Sequence, residues 1–579
     1  MAKSRIQDDL FNHVNQECID QAIIPSDRPT TGGFANLSDD VEKLMINEFN
    51  EMVKNGNYPN SYLERACDLY KLCKNTKKRN SQGIKPVLKL LNKIKKLTEI
   101  RSLNKNLKGF ILERIKLPFD LQVETDMKDT SKHCLLISGV STILPDATYS
   151  RPAMEQQKNM MIGLWSQMMT QIYKFTPLSE DEQALFLKDT LEFDSLLAQY
   201  VKTSQEWSEY TKMYNPMKLN KVCKYVKPIK LKGALTAIFG EAPETIIVAE
   251  PRYFENFSKV FNEETFSLYK HWAYSLELLS ATKYLSEELR SLGSMYQLAL
   301  MGIEKASSIE KQAYGLASTL YAEPVGVYYG DKYFGQKAKK DVVDMVTQII
   351  ETYKDRVKHN DILSEPTKEK AILKLSTMKV KMGYPDKVDS FYDLLVFDNK
   401  KSLFEVVSTL GRIKQDYDFS QLNKPVDRSK WVMAGHIVNA CYNPFSNDIT
   451  FPAAILQAPF YSIKQTRSQN LGGIGAVIGH EISHAFDNNG AKCDENGNLN
   501  NWWTKVDEKN FKKKTQAMIN QFEGIELPWG KVNATLIVSE NIADNGGMAC
   551  TLQIMSNMKD ANYEEYFINW AKVWCIKAK

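Results

Sequence analysis

Ile478-Gly479-His480-Glu481-Ile482-Ser483-His484 is the stretch on which the reading of this 579-residue chain turns. On a helix, residues four apart share a face, so His480 and His484 aim two imidazoles at one point while Glu481 stands one position round beside them. Two histidines and a carboxylate at this spacing are the ligand pair and general base of a zinc-dependent amide hydrolase. The chain holds only seven histidines, and an apolar helix packed for its own sake needs neither two of them nor the glutamate. Catalytic zinc usually takes three protein ligands and keeps one position open. Glu540-Asn541-Ile542-Ala543-Asp544 offers the third: Glu540 supplies a carboxylate, and Asp544, four residues on, is placed to accept the free ring proton of a metal-bound histidine. Taken alone, Glu540 and Asp544 would read as a solvated helix face.

The composition is that of a large globular enzyme. At 66.2 kDa the chain exceeds what one hydrophobic core organises, so two or more domains are expected. Its 43% hydrophobic and 25% charged residues exclude extensive disorder. No apolar run reaches 18 residues, and Asp8-Asp9 follow where a secretory signal would have its apolar centre. The expectation is a cytoplasmic protein without membrane spans. Nine scattered cysteines, an odd number, read as reduced thiols. A net charge of +5 is small for this length and argues for neither a nucleic-acid nor a membrane partner. One stretch departs from this balance: Val87, Leu90, Leu91, Ile94 and Leu97 recur at helical spacing among Lys85, Lys89, Lys93, Lys95 and Lys96. This basic amphipathic helix reads as a packed helix with a solvated face; its other possible use is on an anionic surface.

Residues 37–375 show mainly helical periods, clearest over 154–175, 179–203 and 264–291. His133, His271 and His359 lack a second ligand type at metal spacing and read as packing or surface residues. After Ser376 the texture changes. Met378-Lys379-Val380-Lys381-Met382 alternates, Trp431 to Ile437 also reads as a strand, and a small sheet is expected. Val438-Asn439-Ala440-Cys441-Tyr442-Asn443-Pro444 ends at a proline, as an edge strand can, and such an edge beside a zinc site could pair with an extended peptide. The glycine cluster Gly472-Gly473-Ile474-Gly475 lacks dinucleotide-fingerprint spacing and is read as serving close packing. No Walker loop or Gly-x-Ser-x-Gly elbow occurs.

Val438 to Tyr442, His480 to His484 followed by Ala485-Phe486-Asp487, and Glu540 to Asp544 together resemble the neprilysin-type zinc metallopeptidases. Asp8-Asp9-Leu10-Phe11, Met382-Gly383-Tyr384-Pro385-Asp386 and Asp494-Glu495-Asn496-Gly497 through Trp502-Trp503-Thr504 extend the resemblance over nearly the whole chain. The likeness is greatest to the bacterial cytoplasmic branch, the endopeptidase O oligopeptidases. It implies a mainly α chain with a small sheet (α+β): a thermolysin-like zinc catalytic domain plus a large helical cap domain enclosing a cavity. The corresponding divisions are 1–36, an N-terminal piece of the catalytic domain; 37–380, the cap; and 381–579, the catalytic domain. It implies one Zn2+ per chain on His480, His484 and Glu540, a metalloendopeptidase of gluzincin type with Glu481 as catalytic base and Asp544 orienting a histidine, and Asn439 and Ala440 holding the substrate backbone. Oligopeptides would be cut on the amino side of bulky apolar residues.

The family pattern continues past the segment like Phe567 to Cys575 with a histidine that steadies the transition state and an arginine that binds substrate. This sequence stops at Lys579, so both are expected to be absent. Loss of one such donor lowers turnover about a hundredfold to a thousandfold. The alternative expectation is therefore a truncated, weakly active or inactive zinc-bearing protein that captures peptides.

Overall fold

The computed structural model describes residues 5–527 and 530–579. Helices dominate, and their ends follow local chemistry. Ser179 and Glu182 form a reciprocal capping box that starts helix Glu180–Ala198. The helical period over 154–175 appears as Glu155–Tyr173. That over 264–291 divides into Phe266–Thr282 and Glu287–Leu300, because Ser286 caps the second helix by accepting from the Leu289 N–H. Basic helix Lys85–Lys95 buries Val87, Leu91 and Ile94, while Lys93 pairs with Glu113 at 2.9 Å and Lys95 with Glu182 at 2.7 Å. It is a packed helix whose lysines are partly engaged by neighbouring acids.

The helical reading of 37–375 overlooks a four-stranded sheet. Its strands are ordered Asp120–Thr125, His133–Ser138, Thr245–Val248 and Pro216–Lys218. The first pair is antiparallel, the third strand runs parallel to the second, and the fourth is antiparallel to the third. Strands of three to six residues carry too few alternations to stand out among long helices. Leu121, Leu135, Ile137, Ile246 and Val248 point from one face into the helical core; the register places Gln122, Leu136 and Ile247 on the other.

A second sheet lies beside the motif helix. Asp448–Pro452 is its wholly buried centre, flanked by Lys379–Gly383 in parallel and Cys441–Asn443 in antiparallel register. The strand expected at 378–382 is present, shifted by one residue to 379–383, and the one expected at 438–444 is shortened to 441–443, at an edge. Trp431 to Ile437 is not a strand. Here the Ile437 N–H bonds to the Ala434 carbonyl, and Gly435 packs so closely on Gly326 that a Cβ would lie 2.5 Å from the Gly326 oxygen. Local turns and close packing override the alternation.

The described residues bury two large cores. One gathers Leu91, Leu107, Ile137, Trp165, Phe193 and Trp272. The other joins Phe49, Leu69, Val346, Leu375, Ile449 and Ile478. Core membership therefore does not follow the texture change after Ser376, since segments on both sides of it pack around the motif helix. The chain ends meet on this second unit: Thr30–Gly32 pairs antiparallel with Ile576–Ala578, and Asn15 Nδ2 donates to the Ala571 carbonyl at 2.8 Å. Among the described residues, no helix is long and apolar enough to cross a membrane.

Candidate metal centre and active site

The motif occupies helix Ala476–Ser483 and the turn His484–Phe486 that continues it. Close packing positions both. A Cβ on Gly472 would meet the Tyr566 carbonyl oxygen at 2.1 Å, and one on Gly473 would meet that of Phe460 at 2.3 Å. The glycine cluster thus seats the start of the motif helix against its neighbours. Helix Ala534–Ser556, carrying Glu540 and Asp544, crosses it where Gly479 faces Gly547.

At this crossing His480 Nε2 lies 3.0 Å from His484 Nε2 and 3.4 Å from Glu540 Oε2, and His484 Nε2 lies 3.6 Å from the same oxygen. A tetrahedral zinc with bonds of ~2.1 Å separates its ligand atoms by about 3.4 Å. These three spacings fall around that value, and the donor set suits the metal. The other ring nitrogens are engaged: His480 Nδ1 with Asp544 Oδ1 at 2.8 Å, and His484 Nδ1 with Asp487 Oδ2 at 2.7 Å. A carboxylate on Nδ1 holds the proton there and leaves Nε2 for a metal. Among the described residues, His480, His484 and Glu540 are the one trio of potential metal ligands converging within 4.8 Å.

Asp487 is the partner that sequence reasoning did not assign. It is buried, and its second oxygen accepts from the backbone N–H groups of Asn489 at 2.7 Å and Gly490 at 2.6 Å. Ser539, one residue before Glu540, also donates to Asp487 and ties the two ligand segments together. The His-x-x-Asp spacing was the available signal.

The centre favours positive charge. Burial alone would lower both imidazoles, but hydrogen bonds to Asp544 and Glu540 push His480 up to about 9, and those to Asp487 and Glu540 push His484 up to about 10. The same hydrogen bonds hold Glu540 well below the usual carboxylate range. Glu481 is buried, which raises its carboxyl, while the nearby imidazoles and the Tyr442 backbone N–H act in the opposite direction.

The expected site residues converge. His480, His484, Glu540, Glu481, Asn439 and Ala440 line one cavity of about 470 Å3, with Asp544 behind His480. Asn439 is exposed toward solvent, and its side-chain oxygen accepts from the Ala440 N–H at 2.9 Å. Phe34, Tyr210 and Trp574 also line it, without having been expected. Phe34 and Trp574 pack together at 5.4 Å between ring centres, brought there by the pairing of the chain ends. The three histidines read as packing or surface residues stay apart: His271 is buried against Asp189 at 2.6 Å, His133 bonds to the Lys424 carbonyl, and His359 is exposed.

Residues 6–385 and 439–579 match the two sections of peptidase family M13. A neutral endopeptidase of Lactobacillus helveticus is 38% identical over 576 residues, covering 99% of this chain and 88% of that protein. The crystal structure of PEPO from Lactobacillus rhamnosis HN001 superposes with a TM-score of 0.95 at 37% identity, covering all of this chain and 91% of that one. The zinc metalloprotease ZMP1 of Mycobacterium tuberculosis, in complex with an inhibitor, gives a TM-score of 0.91 at 28% identity, with 100% and 90% covered. With sequence and fold matched along nearly its whole length, the chain belongs to peptidase family M13 and is a neprilysin-type metalloendopeptidase.

Proposed function

We propose that the chain binds one zinc ion on His480, His484 and Glu540 and hydrolyses oligopeptides, with cleavage favoured on the amino side of bulky apolar residues. The observation that carries this reading is the convergence of two carboxylate-backed Nε2 atoms and Glu540 Oε2 beside the buried Glu481. When bound, zinc supplies a Lewis acid that activates water and polarises the amide to be cut. Glu481 takes the proton released by that water and passes it to the leaving amine, a role suited to a carboxyl raised by burial. Asp544 and Asp487 hold the two imidazoles in the tautomer that offers Nε2. Asn439 and Ala440 precede the edge strand Cys441–Asn443 and orient an extended peptide alongside it.

The proposed division of labour places the catalytic machinery on the unit around Ile478, with the unit around Trp272 as a cap. Tyr210 from the cap reaches the metal cavity, and the Asn489 side chain donates to the Ser208 carbonyl at 2.9 Å. A cytoplasmic setting is proposed with it, supported by nine free thiols.

The test is hydrolysis of a quenched peptide of about ten residues with internal Phe and Leu, before and after chelation and zinc add-back. Chelator-sensitive cleavage restored by zinc, at the amino side of Phe or Leu, is expected. Cleavage unaffected by the chelator would overturn the mechanism, whereas a folded, zinc-loaded protein that binds the peptide without cutting it would favour the peptide-capturing alternative.

A further inference from the structure

A cavity of about 670 Å3 lies between the two units, separate from the metal cavity but bounded by the same two segments. In segment 207–214, Tyr210 faces the metal cavity while Trp207 and Met213 face the larger chamber. In segment 441–446, Tyr442 and Pro444 line the first, and Asn443, Phe445 and Ser446 the second. Tyr210 and Phe445 meet edge to face at 5.9 Å where the two adjoin. The far wall is the second face of the four-stranded sheet, with Gln122, Glu124, Leu136 and Ile247.

The strand edge gives the chamber its place relative to the metal. Tyr442 stands beside Glu481, and an extended chain advances ~3.3 Å per residue. A peptide lying along Cys441–Asn443 and continuing past Phe445 enters the chamber about three or four residues from the bond at the metal.

The wall chemistry says what that part of the peptide should carry. Leu136, Met213, Ile247, Phe445 and Trp207 make much of it apolar. Most charged wall groups are already engaged. Lys381 pairs with Asp448 at 2.9 Å, Lys430 with Asp389 at 2.9 Å, Arg428 donates to Thr130 Oγ1 and the Asn496 carbonyl, and Asp427 accepts from Ser429. Among the described residues, the Glu124 carboxylate has no such hydrogen-bond or ion-pair partner. Glu124 is exposed to the chamber, with Asp418 and Lys414 nearby acting on its carboxyl in opposite directions, and Lys414 is itself committed to Asp418 at 2.7 Å. A cation delivered to this wall would find in Glu124 a carboxylate that is open to the chamber and not held by a neighbour.

We propose that this chamber is a distal substrate subsite that takes an apolar segment bearing a positive charge, three or more residues from the scissile bond, with Glu124 receiving the charge. The proposal rests on the peptidase reading above and names the substrate class that the second cavity selects.

The experiment compares kcat/KM for a short quenched peptide reaching two residues either side of the cut with versions lengthened by four residues at one end or the other. The added segment is Leu-Leu-Arg-Leu or Leu-Leu-Glu-Leu. Lengthening at one end only is expected to raise kcat/KM about tenfold, with the Arg version favoured over the Glu version about three- to tenfold. Glu124→Gln should abolish the Arg preference and keep the gain from length, and Glu124→Lys should reverse the preference. Leu136→Gln should remove the gain from length while leaving the short peptide unchanged. In parallel, calorimetry on zinc-loaded Glu481→Gln protein reads binding of the same peptides without turnover. If the short peptide is cut but neither extension matters, or if Glu124→Gln leaves the Arg to Glu ratio intact, the subsite is refuted. If no peptide is cut, the peptidase reading fails on its own, and calorimetry still decides the subsite by whether the Arg peptide outbinds the Glu peptide in a Glu124-dependent way.

Discussion

Gly479 and Gly547 bring the two helices of the candidate metal centre into backbone contact, so that a Cβ on Gly479 would stand 2.7 Å from the Gly547 Cα. Real Cβ atoms do not approach a backbone so closely, and neither helix can yield alone, because both are packed into the same core. Gly479→Ala is expected to destabilise the protein by about 1–3 kcal/mol. Since His480 follows Gly479 directly and Glu540 sits on the opposing helix, the same change should spread the ligand trio and weaken zinc binding at least tenfold. Thermal unfolding and competition with a chromogenic chelator measure the two effects. Wild-type zinc affinity in this variant would show that the helix contact does not set the ligand spacing.

Each candidate ligand histidine has its own carboxylate: Asp544 for His480 and Asp487 for His484. Replacing either by Asn keeps the shape but allows the amide to present the wrong group to Nδ1. Asp544→Asn and Asp487→Asn are each expected to lower zinc affinity or activity by about 10- to 100-fold. Asp487→Asn should also lower stability, because Asp487 additionally holds the Asn489 and Gly490 N–H groups and Ser539. Equal unfolding temperatures for the two variants would contradict that asymmetry.

The convergence of the candidate metal ligands was legible because its parts are local. His480 and His484 are one turn apart, Glu540 and Asp544 are one turn apart, and the proline at 444 marks the end of an edge strand. Trp431 to Ile437 misled because alternation is informative only where the backbone is free to pair, and there Gly326 and Gly435 pack too closely for it. The four-stranded sheet was hidden in short strands separated by helices, and its second face has meaning only beside Phe445 and Arg428, which lie far along the chain. Phe34 and Trp574 could not be assigned to the site from local pattern, since only the pairing of residues 30–32 with 576–578 brings them to it.

Glu481 is buried beside both imidazoles yet is not one of the converging ligand trio. Its removal should therefore separate metal binding from turnover. Glu481→Gln is expected to retain stoichiometric zinc and to lose about 10²- to 10⁴-fold in kcat, with little change in KM. Metal analysis after dialysis and steady-state kinetics provide the check. A variant that keeps wild-type kcat would eliminate Glu481 as the proton carrier.

Lys374 is 1% exposed, and its ammonium donates to the carbonyl oxygens of Ala485 at 2.9 Å, Gly490 at 2.8 Å and Cys493 at 2.7 Å. An ammonium has three N–H groups, so its donor capacity is fully used. The three carbonyls bracket Asp487, and the lysine thereby holds in place the loop that steadies His484. Lys374→Met preserves the apolar stem but leaves three buried acceptors without their donor, at about 1–3 kcal/mol each before relaxation. The expected outcome is a loss of about 3 kcal/mol or more in stability, accompanied by weaker zinc binding as Asp487 shifts. Lys370→Met is the comparison: Lys370 pairs with Glu495 at 3.2 Å on the surface, and such a pair contributes about 0–1 kcal/mol. Urea unfolding of the zinc-loaded proteins, followed by chelator competition, distinguishes them. If Lys374→Met unfolds at the same urea concentration as Lys370→Met and keeps its zinc equally well, the buried ammonium does not support the metal centre.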